Sequence, residues 1–119
     1  MRYRATQIGK YDVKRVMLVE NPQDERYRGC IVSYVSVDKE DGPPDGGQVY
    51  EGYAIEQIFK EFEEDYDIKR TDWQAIPDQI PGCEDEWVAP VRHARDYQGN
   101  IIQGSWEQLV NNQWVSFTL

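Results

Sequence analysis

Apolar and polar positions alternate with two different periods along this chain. Between residues 53 and 67 the apolar residues Ile55, Ile58, Phe59, Phe62 and Tyr66 recur at helical spacing. Glu56, Gln57, Lys60, Glu61, Glu63, Glu64 and Asp65 fill the gaps. A repeat near 3.6 residues without Pro or Gly predicts one amphipathic helix. A helix of this length is marginal alone in water, so its stripe needs a cover. Burying five large side chains is worth on the order of 10 kcal/mol as an upper bound.

Elsewhere the pattern is that of strands. Residues 3–8 read as a short strand, 13–20 as a clearer one and 29–38 as the best of the first half, with Ile31, Val32, Tyr34, Val35 and Val37. Asn21-Pro22 ends the second, and the polar stretch 21–28 leads to the third. Residues 38–47 hold two prolines and three glycines and read as a loop. Their acids do not follow the alternation of a calcium-binding loop. Residues 67–86 read as a long irregular connection anchored by Trp73, Ile76 and Ile80. The last third reads as a three-strand meander, 87–96, 101–110 and 113–119, with turns at 98–100 and at Asn111-Asn112. The expected fold is therefore α+β: one amphipathic helix on a mainly antiparallel sheet of about five to six strands, in the order β-β-β-α-long loop-β-β-β. The length of 119 residues suits a single domain, 1–119.

Register makes the meander more specific. A two-residue turn at Asn111-Asn112 pairs Val110 with Gln113, Leu109 with Trp114 and Trp106 with Phe117. Ile102, Trp106, Val110, Val115, Phe117 and Leu119 then share the face expected to meet the helix. Leu109 and Trp114 form an apolar patch on the other face, covered by residues 67–86 or open to a partner. A two-residue turn at 98–99 or 99–100 puts His93 and Arg95 on the Trp106 face, with His93 opposite Gly104 in the first case and opposite Trp106 in the second. This outlines a pocket of Val91, His93, Arg95 and Trp106 between helix and sheet, or else the wet end of a sheet that outruns the helix.

Charge changes the picture more than composition does. The chain carries a formal net charge of −9. Residues 1–28 hold seven basic and four acidic side chains, whereas 38–86 hold four basic and sixteen acidic ones. Such a field repels nucleic acid and anionic membrane and draws basic partners. Glu63, Glu64 and Asp65 stand at the helix end that disfavours acids, and Glu61 and Asp65 are like charges one turn apart. Either Lys69 and Arg70 fold back to neutralise this end and the acids are a solvated face, or Glu56, Glu61, Glu63, Glu64 and Asp65 form a partner-binding surface.

Two cysteines, Cys30 and Cys83, and one histidine are too few for a structural zinc site, and reduced thiols are expected. No apolar run is long enough to span a membrane and no leader is evident, so the expected location is cytoplasmic. No nucleotide fingerprint, cofactor motif or metal motif is present. The leading functional expectation is a non-enzymatic acidic module, an adaptor or inhibitor, that presents its helix to a basic protein surface. The second is a small-anion binder or enzyme using His93 as acid or base and Arg95 as anion holder. The third is a subunit of an oligomer, joined through Leu109 and Trp114.

Overall fold

The structure, a computed structural model, describes residues 1–6, 8–37, 39–40 and 43–118. Eight strands and one α-helix are present among the described residues: β1 (Arg2–Thr6), β2 (Arg15–Glu20), β3 (Ile31–Ser36), β4 (Gly46–Tyr50), α1 (Ile55–Tyr66), β5 (Gln74–Ile76), β6 (Val91–Arg95), β7 (Ile101–Val110) and β8 (Gln113–Phe117). The fold is α+β and every strand pair is antiparallel. The expected single sheet is instead two: five strands in the order β4-β3-β2-β1-β5, and three in the order β6-β7-β8. No helix is long and apolar enough to cross a membrane among the described residues.

Helix α1 lies on the five-stranded sheet, not on the meander. Ile58, Phe59 and Phe62 are buried in one cluster with Ala5, Val16, Leu18, Ile31, Tyr50, Ile68 and Trp73. Aromatic edges lock it: Phe59 meets Tyr3 and Trp73 at ring-centroid distances of 5.2 Å each. Gln57 accepts a 2.7 Å hydrogen bond from the Ala54 N–H at the start of the helix. At the other end Asp67 turns left-handed (φ 58°), and its N–H donates to the Glu63 carbonyl.

The opposite face of this sheet is covered too. In β2, alternation sends Val16 and Leu18 to the helix and Arg15, Met17 and Val19 the other way, yet all five are buried. The cover on the second face is residues 77–87. Arg2, buried in β1, donates to the carbonyls of Pro77 (2.8 Å), Asp85 (3.0 Å) and Trp87. Arg15 donates to the Glu86 carbonyl at 3.0 Å. The stretch expected to be irregular is thus a latch across the sheet, and it also contributes β5. Trp73 anchors it as expected, but Ile76 is only half-buried and Ile80 is exposed. Gln79, Cys83 and Trp87 are buried in their place.

Strand β4 corrects a second expectation, because Gly46 and Gly47 belong to a strand and not to a loop. Asp38, Asp41 and Gly42 of that expected loop lie outside the described residues.

The meander keeps its expected register between β7 and β8, and between β6 and β7 it keeps the register of a 99–100 turn as far as His93 opposite Trp106. Val110 pairs with Gln113, Leu109 with Trp114 and Trp106 with Phe117. Asn111 and Asn112 have φ of 51° and 63°, as a two-residue primed turn requires. Substitution Asn112→Val is expected to cost about 1–2 kcal/mol in urea unfolding, while Asn112→Gly is neutral or mildly stabilising, because only Gly and Asn enter this region readily. Between β6 and β7 the expected two-residue turn is absent. Asp96 accepts from the N–H groups of Gln98 and Asn100 at 2.9 Å each, and this closes a longer loop that pairs Arg95 with Ile101.

The face expected to meet the helix is largely open. Ile102, Val110 and Val115 are exposed, and Leu119 lies outside the described residues. The stripe of α1 is already spent on the other sheet, and Trp87 packs its ring edge on Phe117, with centroids 5.2 Å apart. The radius of gyration of 15.0 Å exceeds the ~13.5 Å of a compact chain of this length, as a projecting meander requires.

Candidate functional site

Folding divides the acids of α1 into two groups. Arg70 returns to Glu56, Nε to Oε2 at 3.3 Å, while its guanidinium lies 4.0 Å from the Phe59 ring centroid. Lys69 reaches Glu63 at 3.9 Å and Asp67 at 3.4 Å. Of the two basic residues that follow the helix, Lys69 therefore folds back on its unfavourable end, whereas Arg70 reaches past it to Glu56 in the first turn. These pairs are exposed and add little stability. Glu61, Glu64 and Asp65 form no salt bridge among the described residues. Glu64 and Asp65 are exposed and Glu61 is half-buried; Glu61 and Asp65 stand one turn apart on the flank of the helix that faces β4.

There they border a groove of about 430 Å³. Its helix wall is Glu61, Phe62, Asp65 and Tyr66, and its sheet wall is Ser33, Val35, Val37 and Tyr50. Asp45, Gly46, Gly47 and Gln48 form the rim along β4. Asp45 is held in place, since its Oδ2 accepts from the Val37 N–H at 2.7 Å and its own N–H donates to the Val35 carbonyl at 2.7 Å. Burial holds the Tyr50 phenol above its ordinary pKa; a hydrogen bond with Ser33 opposes this, and Glu61 and Asp65 reinforce it. The groove combines three carboxylates with three aromatic rings, and no Lys, Arg or His lines it among the described residues. That combination suits a cation with an apolar stem.

The residues of the expected anion pocket are placed otherwise. Val91, His93, Arg95 and Trp106 belong to the three-stranded sheet, so they do not lie between α1 and its sheet. Val91 is fully buried. His93 pairs with Trp106 and stacks on its ring at 4.0 Å, so the two side chains fill the space between them. His93 Nε2 lies 3.6 Å from a Glu84 carboxylate oxygen, and Nδ1 is buried without a hydrogen-bond partner. Arg95 is exposed and donates to the Gly99 carbonyl at 3.1 Å. An acid beside the histidine disfavours an anion there. Leu109 and Trp114 are half-buried, and the Arg92 guanidinium lies 3.8 Å from the Trp114 ring centroid while pairing with Glu107 at 3.2 Å. A cation thus covers the apolar patch.

One further cluster escaped sequence reasoning. Asp24, Tyr27, Tyr34, Cys83, Glu84, Asp85 and Glu86 line a cavity of about 480 Å³ on the latch side. The run Glu84-Asp85-Glu86 reads as solvated surface in a sequence, and only the latch brings it against the sheet. Burial raises all three carboxyl groups above their ordinary range. Neighbouring carboxylates add to this, whereas Arg2 and the Gln23 N–H pull Asp85 back and Arg15 pulls Glu86 back. A carboxyl group raised by folding binds more protons folded than unfolded, so stability grows as pH falls through that window. The expected result is a melting temperature that climbs on mild acidification from neutrality. The climb is smaller in a Glu84→Gln, Glu86→Gln variant, and an identical slope in that variant would refute the assignment.

Cys30 and Cys83 are free thiols, and burial raises the Cys83 thiol. No group of three or more His, Cys, Asp or Glu among the described residues is arranged to hold a metal ion. No family model, curated protein or solved structure matches the chain.

Proposed function

We propose that this protein is a non-enzymatic binding module that engages a basic protein surface through the acidic flank of α1. The observation that carries this reading is the groove beside β4, where Glu61, Asp65 and Asp45 converge with no cation among the residues that line it. Unpaired like charges held together cost stability in the free protein, and a basic partner relieves that cost on binding. The contact residues are Glu61 and Asp65, with Glu64 at the exposed rim. Glu56 and Glu63 already have internal partners and contribute less. The net charge of −9 adds long-range attraction, so association is fast and weakens with salt.

The test separates the two groups of acids. In a salt-sensitive pull-down, Glu61→Gln with Asp65→Asn is expected to lose the partner or weaken it about tenfold or more. The pair Glu56→Gln with Glu63→Gln is expected to retain it. Equal retention by both variants would remove the groove from the function.

A further inference from the structure

We infer that β4 is the docking edge of this groove: an extended segment of the basic partner adds to the five-stranded sheet alongside Gly46–Tyr50 and places an arginine or lysine side chain against Glu61 and Asp65. This deepens the basic-partner reading and rests on it, by naming how the partner is held.

The choice of edge follows from comparing the four that the two sheets offer. Strand β5 is three residues long and runs into Pro77, which blunts it. Strand β6 is overlain by the latch, whose Glu84 N–H donates to the Val91 carbonyl at 2.8 Å. Strand β8 is open, but the cavity beside it is lined by Gly104, Ser105, Trp106, Ser116, Phe117 and Thr118, without a charged side chain among the described residues. Strand β4 is a terminal strand of five residues, Gly46-Gly47-Gln48-Val49-Tyr50. It contains none of the lysines, prolines or inward charges by which sheet edges are protected.

Its outer side and the groove are continuous. Asp45, Gly46, Gly47 and Gln48 line the same cavity as Glu61 and Asp65. A Cβ built on Gly46 meets nothing within 4 Å, so no neighbour among the described residues fills the space above it. An added strand lies about 4.8 Å from β4, with alternate side chains directed to the helix side of the sheet. A long cationic side chain on that side meets aromatic walls along its stem and carboxylates at its head. Backbone pairing supplies affinity and the groove supplies the preference for a basic residue. Arginine is the better fit, since its planar fork engages carboxylates in pairs.

The experiment uses the intact protein with synthetic extended peptides of alternating Thr and Val, carrying Arg, Ala or Glu at the centre. A further Arg peptide is N-methylated along one edge so that it cannot pair as a strand. Binding is followed by titration, and the site by hydrogen exchange of backbone amides. The Arg peptide is expected to bind and to slow exchange in β4. Replacing Arg by Ala, N-methylating the peptide, or introducing Glu61→Gln with Asp65→Asn is each expected to weaken binding about tenfold. Equal binding of the N-methylated peptide, or protection confined to Gln113–Phe117, overturns edge addition at β4 while leaving a basic partner for the acids. Equal binding of the Arg and Ala peptides overturns the role of the groove. Failure of every peptide, together with failure of polylysine to bind at low salt, overturns both the docking mode and the reading beneath it.

Discussion

Replacing Arg2 by Ala is expected to cost about 3–5 kcal/mol of folding stability, a large part of the ~5–15 kcal/mol that holds a domain of ordinary size together. The reason lies in what the guanidinium joins. Arg2 is 3 % exposed, and its fork donates to three carbonyls of a segment more than seventy residues away, those of Pro77, Asp85 and Trp87. Desolvation lowers its pKa, and only the nearby Asp85 and Asp78 oppose that burden. Removing the side chain takes the donor from the Pro77 and Asp85 carbonyls, each worth about 1–3 kcal/mol, while the Trp87 carbonyl keeps the Gln79 side-chain amide at 2.8 Å. It also removes a counter-charge from Asp85, which keeps the Gln23 N–H at 2.8 Å and the weaker pull of the N-terminal ammonium. Lysine restores the charge but not the fork, so Arg2→Lys is expected to recover the loss only in part. Urea unfolding followed by tryptophan fluorescence measures this, because Trp87 sits in the latch itself. A change below about 0.5 kcal/mol, the range of an ordinary surface substitution, would mean that residues 77–87 do not latch the sheet.

Phe59→Ala is expected to cost a similar ~3–5 kcal/mol, from the other side of the same sheet. The ring is 3 % exposed and touches Tyr3 and Trp73, and it carries the Arg70 guanidinium on its face. Truncation opens a cavity between helix and sheet and frees the arginine that neutralises Glu56. Ile102→Ala is the matched control. Sequence pattern assigns Ile102 to the helix-facing core, but it is 42 % exposed on the projecting meander. Its loss is expected to stay within about 0.5 kcal/mol. Chemical unfolding of both variants decides between one sheet under the helix and two sheets with a single helix-covered core. A large loss at Ile102 and a small one at Phe59 would restore the one-sheet arrangement.

What the chain discloses in advance depends on whether the deciding interaction is local. The position of α1 was legible because periodicity over twelve residues is a local signal. The β7–β8 register was legible because two asparagines leave few turns to choose from. The β6–β7 register was legible as far as His93 opposite Trp106, but its shift at Arg95 was not, since that turns on the Asp96 carboxylate capping its own loop and on a positive φ of 79° at Gly104. Strand β4 was hidden by Gly46 and Gly47, which read as loop until Tyr34 and Val35 pair with them. The second sheet was illegible because equal strand patterns suit either arrangement. One sign was present: Val16-Met17-Leu18-Val19 is an unbroken apolar run, the mark of a strand covered on both faces. Half of the candidate site followed the same rule. Glu61 and Asp65 stand out as like charges one turn apart, but Asp45 joins them only through a strand that composition conceals.

The most direct measurement of the central proposal is a backbone-amide NMR titration of the intact protein with a short arginine-rich peptide at low and high salt. The expected shifts fall on Asp45–Tyr50 and on the Glu61–Tyr66 end of α1, and they fade as salt screens the contact. Shifts centred on His93, Arg95 and Trp106, or none at all at low salt, would contradict a basic partner in the groove between α1 and β4.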